Sequence, residues 1–170
     1  MGAFTSNRVS LTSIIDRSCY QLMWQRKQVY ALYREYEKLL VRNKCNKMKI
    51  DYNMFKQYLN YIGIEIIPET EDTLLHFYFT YVSRDFDGII NFTRFARGIG
   101  LLLYCNNDAV IPISYELWNQ GDDNFNSNLL VTYLKKLKLN DAAKFIEDRS
   151  TESISYDEYY NIVKNYWKTL

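Results

Sequence analysis

The segment Ser83-Arg84-Asp85-Phe86-Asp87-Gly88-Ile89-Ile90-Asn91-Phe92-Thr93-Arg94 sets oxygen-bearing side chains at alternate positions ahead of a glycine. That spacing suits a hard cation. A calcium loop needs oxygens at its first, third and fifth places, glycine at the sixth for a sharp turn, and a bidentate Glu at the twelfth. Ser83, Asp85 and Asp87 fill the first three, Gly88 the turn, and Ile89 and Asn91 complete the candidate ligand set. Ile90 holds the apolar eighth place, suited to pairing with a sister loop. Arg94 stands where the Glu belongs. Losing Glu removes two oxygens and a charge; gaining Arg adds a cation. At an effective dielectric of roughly 20, one charge pair about 4 Å apart is worth about 4 kcal/mol. Tight calcium binding is therefore opposed here. The guanidinium could instead reach Asp85 and Asp87 and replace the ion.

The loop needs a helix on each side. Pro68-Glu69-Thr70 marks a helix start, with Leu75, Tyr78, Phe79 and Val82 as its expected apolar face. Phe92, Phe95, Ala96 and Ile99 carry the exit helix, which Gly98 and Gly100 threaten to weaken or end. The same pattern precedes it. Val29, Leu32, Tyr33, Tyr36, Leu39 and Leu40 recur at helical spacing over residues 25–42, and Phe55, Tyr58, Leu59 and Ile62 form a following helix face. Between them lies a first loop with Asn43, Cys45, Lys47 and Met54 at ligand places. Ile50 and Ile90 lie 40 residues apart in equivalent places, so their backbones should bond and close one unit. Residues 1–9 read as a mobile arm and 10–22 as a short helix.

Asn106-Asn107-Asp108 reads as a break, after which Pro112 opens a short helix carrying Tyr115 and Trp118. A third loop is expected from Asp122 to Tyr133, with Asp122, Asn124 and Asn126 as ligands and Leu129 in the eighth place. A fourth is expected from Glu147 to Glu158, with Ile154 in the eighth place. It keeps Glu158 as a twelfth-place ligand, but Arg149 takes the third place and Glu152 replaces the turn glycine. The last helix carries Tyr160, Ile162, Val163, Tyr166 and Trp167.

These four units resemble the four-EF-hand superfamily that contains neuronal calcium sensors, calcineurin B and calaxin-like axonemal proteins. The resemblance covers roughly 25–170 and is strongest over residues 79–103. Phe95-Ala96-Arg97-Gly98-Ile99-Gly100-Leu101-Leu102 looks like the helix after the second loop in calaxin-like and calcineurin-B-like proteins. It implies an all-α fold: paired helix–loop–helix units in two lobes, with short two-stranded β links between loops. The expected divisions are an arm and short helix (1–24), an N-terminal pair (25–105) and a degenerate C-terminal pair (106–170). The resemblance also implies function by gripping an amphipathic helix of a larger protein, as a non-catalytic adaptor or regulatory subunit with weak or lost calcium binding. A working calcium switch and a structural axonemal subunit are the alternatives. Candidate gripping residues are Tyr33, Phe55, Tyr58, Phe79, Phe95, Leu101, Leu102, Trp118 and Trp167.

Composition narrows the rest. The chain has 170 residues, 48% of them apolar, with sixteen Tyr, nine Phe and three Trp. That supports a real core. A net charge of +1 gives no global field to attract nucleic acid. Lys135, Lys136 and Lys138 read as a solvated helix face, with anionic lipid as the alternative. Three widely spaced cysteines, Cys19, Cys45 and Cys105, argue against a disulfide framework and fit a reducing compartment. No apolar run approaches the ~20 residues of a membrane span. A cytoplasmic protein is expected, with membrane or axonemal association as variants. Met1-Gly2-Ala3-Phe4-Thr5-Ser6 matches an N-myristoylation pattern at Gly2; one such chain alone anchors only marginally. Catalysis is not expected. His76 is the single histidine and reads as a surface or packing residue. No HExxH, CxxC, P-loop or GxSxG pattern occurs, and Gly98-Ile99-Gly100 lacks the rest of a nucleotide fingerprint. The cofactor expectation is none, or weakly bound calcium.

Overall fold

The computed structural model describes residues 2–85, 87–105, 107–120, 125–149 and 153–169; side chains at 2–10, 125–126 and 167–169 are outside the description. The described residues are mostly helical, so the all-α class holds. The helices are α1 (Gly2–Leu22), α2 (Arg26–Arg42), α3 (Tyr52–Tyr61), α4 (Pro68–Phe77), α5 (Phe92–Tyr104), α6 (Ile111–Asn119), α7 (Asn128–Lys136), α8 (Asn140–Arg149) and α9 (Tyr156–Thr169). A π-helical stretch, Tyr78–Ser83, continues α4, and two short strands, β1 (Phe125–Asn126) and β2 (Ser153–Ile154), pair antiparallel. None of these helices is long and apolar enough to cross a membrane.

Three helix starts carry capping side chains. The Asp51 carboxylate accepts from the Met54 N–H at 2.9 Å, and the Asn91 side chain from the Arg94 N–H at 3.0 Å. The Ser155 hydroxyl accepts from the Glu158 N–H at 3.3 Å. Each satisfies an orphan donor of the first turn. In each case the cap directly follows a residue of a β pairing: Ile50, Ile90 or Ile154. Ile50 and Ile90 bond reciprocally, N to O, at 2.9 and 2.8 Å.

The core is continuous. Phe95 at its centre meets Tyr36, Phe55 and Tyr58 at ring-centroid distances of 5.2, 6.1 and 5.0 Å. Tyr58 continues to Tyr133, and Tyr133 to Trp118 at 6.1 Å. The Tyr58 and Tyr133 hydroxyls bond each other while fully buried. The Trp118 indole N–H donates to the Leu102 carbonyl at 3.0 Å, tying α6 to α5. Aromatic and hydrogen-bond contacts thus run from α2 to α7 without interruption.

Four expectations need correction. α1 begins at Gly2 rather than at residue 10; once Ile15 and Ser18 anchor it by burial, each added residue gains a backbone bond and no Pro interrupts the run. The apolar face before the second loop is Leu74, Phe77, Tyr78 and Val82, not Leu75 and Phe79. The π-helical stretch adds a residue to the turn and rotates Phe79 outward to 39% exposure. Gly98 and Gly100 do not end α5, which runs on to Tyr104. They admit close neighbours: a Cβ would lie 2.8 Å from a Val82 methyl at Gly98 and 2.3 Å from a Leu22 methyl at Gly100. Finally, Phe125, not Leu129, faces Ile154. The pairing sets the third loop four residues earlier than the spacing predicts. Tyr133, its expected closing residue, lies inside α7.

Candidate functional site

The loop between the π-helical stretch and α5 is closed from within. Arg84 turns the chain at φ 61° and Gly88 at φ 67°, the left-handed conformations that fold it back. A side chain at Gly88 would also meet Phe79, whose ring edge lies 2.8 Å from an ideal Cβ. The Ser83 hydroxyl donates to the Asp85 carbonyl at 2.9 Å and accepts from the Asp85 N–H at 3.2 Å. The Asp87 carboxylate accepts from the Ile89 N–H at 3.2 Å, and the Tyr78 hydroxyl donates to the Gly88 carbonyl.

Arg94 completes the closure. It is the third residue of α5, where a cation opposes the helix dipole at a cost of about 0.3–1 kcal/mol. Its Nη1 nevertheless reaches back across the loop. It donates to the Ser83 carbonyl at 2.5 Å and to the Asp85 carboxylate at 2.6 Å. Both are charge-assisted bonds. The expected reach to Asp85 is realised; the second acceptor is the Ser83 carbonyl rather than Asp87, whose carboxylate is engaged by Ile89. Residues 83–94 carry two arginines and two aspartates and are formally neutral. The loop thus lacks the excess negative charge that draws a divalent cation. Arg97 lies nearby, its pKa lowered by burial and then by the charge of Arg84.

The sister loop is closed in a related way. The Cys45 thiol lies 3.0 Å from the Lys47 carbonyl and 3.3 Å from that of Lys49, donating to both. The Tyr36 hydroxyl donates to the Met48 carbonyl at 2.7 Å, and the Asn43 amide to Leu39 at 2.9 Å. A cleft of about 500 Å³ separates the two loops, with Cys45, Lys47 and Lys49 on one side and Asp85, Asp87 and Arg94 on the other.

The other candidates are dispersed. Asp122 and Asn124 lie outside the described residues, as does the Asn126 side chain. Glu158 is exposed in the first turn of α9. Gly2 opens α1, and side chains there are outside the description. Tyr33, Phe55, Tyr58, Phe95, Leu101, Leu102 and Trp118 are all buried, so they build the core instead of lining an open groove; their contacts across α2, α3, α5, α6 and α7 are the reason. Phe79 is partly exposed, and the Trp167 side chain lies outside the description.

Sequence reasoning missed Glu35, which is 5% exposed on the apolar face of α2. Its carboxylate lies 3.4 Å from the Lys136 ammonium and 3.7 Å from that of Lys38. Its place between Leu32 and Leu39 in the helical period was the signal that could have found it. No family model matches the chain, and no curated protein matches its sequence.

Proposed function

We propose that this chain is a non-catalytic, EF-hand-like adaptor whose second loop is held by Arg94 in place of calcium. The observation that carries the reading is the Arg94 guanidinium, bonded to the Ser83 carbonyl and the Asp85 carboxylate within the loop. Three further features support the EF-hand-like assignment. They are the reciprocal Ile50–Ile90 bridge, the second pairing at Phe125–Ile154, and the repeated cap directly after a bridging residue.

For calcium to enter, the guanidinium must leave two charge-assisted bonds and the ion must settle with one carboxylate fewer than a sensor loop supplies. Sensor loops bind at about 10⁻⁷–10⁻⁵ M with that carboxylate present. A divalent cation gains little here that Arg94 does not already provide, so the paired loops keep one shape whatever the calcium level. Such a scaffold offers a partner a constant surface.

Calorimetric titration with calcium in the presence of magnesium tests the reading. Absence of heat and of any tryptophan fluorescence change is expected. Saturable micromolar binding would transfer the protein to the calcium-switch class.

A further inference from the structure

The outward face of α2 carries Arg34, Lys38 and Arg42 at four-residue spacing, and all three are exposed. At 1.5 Å rise per residue their charges recur about every 6 Å along one line. Beside them Val41 is 77% exposed and Tyr61 50% exposed, two apolar side chains within reach of a partner. These residues line a groove of about 520 Å³. The Arg42 guanidinium lies 4.2 Å from the Tyr61 ring centroid and the Lys136 ammonium 4.5 Å from it, which adds a cation from α7 to the same face. Two carboxylates belong here as well. Glu35 lies between Lys38 and Lys136, and Glu37 lines the groove. Arg34 and Arg42 form no ion pair among the described residues. Four cations against two carboxylates leave a local excess of positive charge on a chain whose formal net charge is +1.

We propose that this face docks an acidic amphipathic helix. Its carboxylates, spaced four residues apart, would meet Arg34, Lys38 and Arg42, and one apolar side chain would enter between Val41 and Tyr61. The match is one of period and charge: two helices side by side present the same repeat. The interspersed Glu37 favours a helix over a flat anionic bilayer. The proposal rests on the adaptor reading and gives that reading a location and a partner chemistry.

Fluorescence anisotropy with synthetic peptides tests it. One peptide is alanine-based, with Glu at every fourth position and a Leu on the same face. A second has the same composition in permuted order. A third is amphipathic and uncharged. Vesicles of phosphatidylcholine with and without phosphatidylserine are run in parallel. The ordered acidic peptide is expected to bind saturably and more tightly than the permuted one, and to weaken with salt. The double variant Arg34→Glu, Arg42→Glu should lose about tenfold or more in affinity with an unchanged circular dichroism spectrum, and Arg34→Gln, Arg42→Gln should lose less. Equal binding of ordered and permuted peptides, indifference to the double reversal, or binding confined to phosphatidylserine vesicles would overturn the proposal. Binding of the uncharged peptide alone, unaffected by the double reversal, would keep the adaptor reading and remove this surface. No binding of any peptide would remove this surface and leave the adaptor reading to the calcium titration.

Discussion

A single nitrogen of Arg94 joins the end of one helical segment to the loop that follows it, standing 2.5 Å from the Ser83 carbonyl and 2.6 Å from the Asp85 carboxylate. The two side chains of the ion pair are 39% and 56% exposed, so solvent screens much of the attraction. Arg94→Ala should therefore lose about 1 kcal/mol or less from the ion pair, and about 1.5–3 kcal/mol from the bond to the Ser83 carbonyl, in urea unfolding. Its larger effect should be local: faster hydrogen exchange at the loop amides with unchanged protection in α2. A global loss of protection would show that Arg94 holds more than its loop.

The Ile50–Ile90 bridge joins the loop before α3 to the loop before α5. Both side chains are essentially fully buried, and each backbone N–H serves the other's carbonyl. Ile50→Ala and Ile90→Ala should each destabilise by about 2–5 kcal/mol through the cavity left behind. The double variant should cost less than the sum, since the two residues are bridge partners in one core cluster. Strict additivity would mean that the two loops do not act as a pair.

Gly98 and Gly100 should respond differently to alanine. Both sit inside α5, where Gly→Ala alone gains about 1 kcal/mol. At Gly98 the added methyl meets both methyls of the β-branched, buried Val82, at 2.8 and 2.9 Å. Overpacking of that kind costs about 1–3 kcal/mol, so Gly98→Ala should destabilise and Val82→Ala should rescue it. At Gly100 the clash is with one end of a Leu22 side chain, which can rotate away, leaving a neutral or stabilising change. Thermal midpoints of the three variants decide this; a midpoint for Gly98→Ala above that of the unaltered chain would refute the packing account.

What the sequence made legible is the first half of the molecule. Helical periodicity located α2 and its buried face, and the 40-residue offset of Ile50 and Ile90 foretold their bridge, because apolar period and repeat are local signals. The second half was harder. Its third loop is displaced by four residues, since Leu129 and Phe125 are both apolar residues beside polar ones and only the strand pairing chooses between them. The π-helical stretch was invisible because the extra residue leaves composition unchanged while moving Phe79 out and Phe77 in. Of the expected gripping aromatics, Tyr33, Phe55, Tyr58, Phe95 and Trp118 proved to be core. A stripe of rings at helical spacing looks the same whether the facing surface is a partner or another helix of the same chain.

A buried thiol and three buried phenols should make the fold sensitive to alkali. Burial pushes the Cys105 thiol up to about 11, against the lowering effect of hydrogen bonds with Ser114 and Tyr159. Burial likewise raises the phenols of Tyr58, Tyr133 and Tyr159 well above the ordinary range. The native state holds all four protonated. The unfolded chain releases these protons at its ordinary thiol and phenol values, about 8.5 and 10. Their contribution is therefore complete below about pH 8.5 and is lost as pH rises toward the folded values. Urea midpoints should hold from neutral pH to about 8.5 and fall steeply by about pH 10.5. A midpoint that stays level across that interval would mean these hydroxyls and the thiol are reached by water.

The most direct test of the central claim is a paired calcium titration by calorimetry, on the unaltered chain and on Arg94→Glu, at the same magnesium concentration. The substitution removes the internal cation and places a carboxylate at residue 94, in the cleft lined by Asp85 and Asp87. The account predicts no heat for the unaltered chain and saturable binding for the variant, at least about tenfold tighter than any residual signal. Calcium binding by the unaltered chain, or identical silent traces from both proteins, would contradict it.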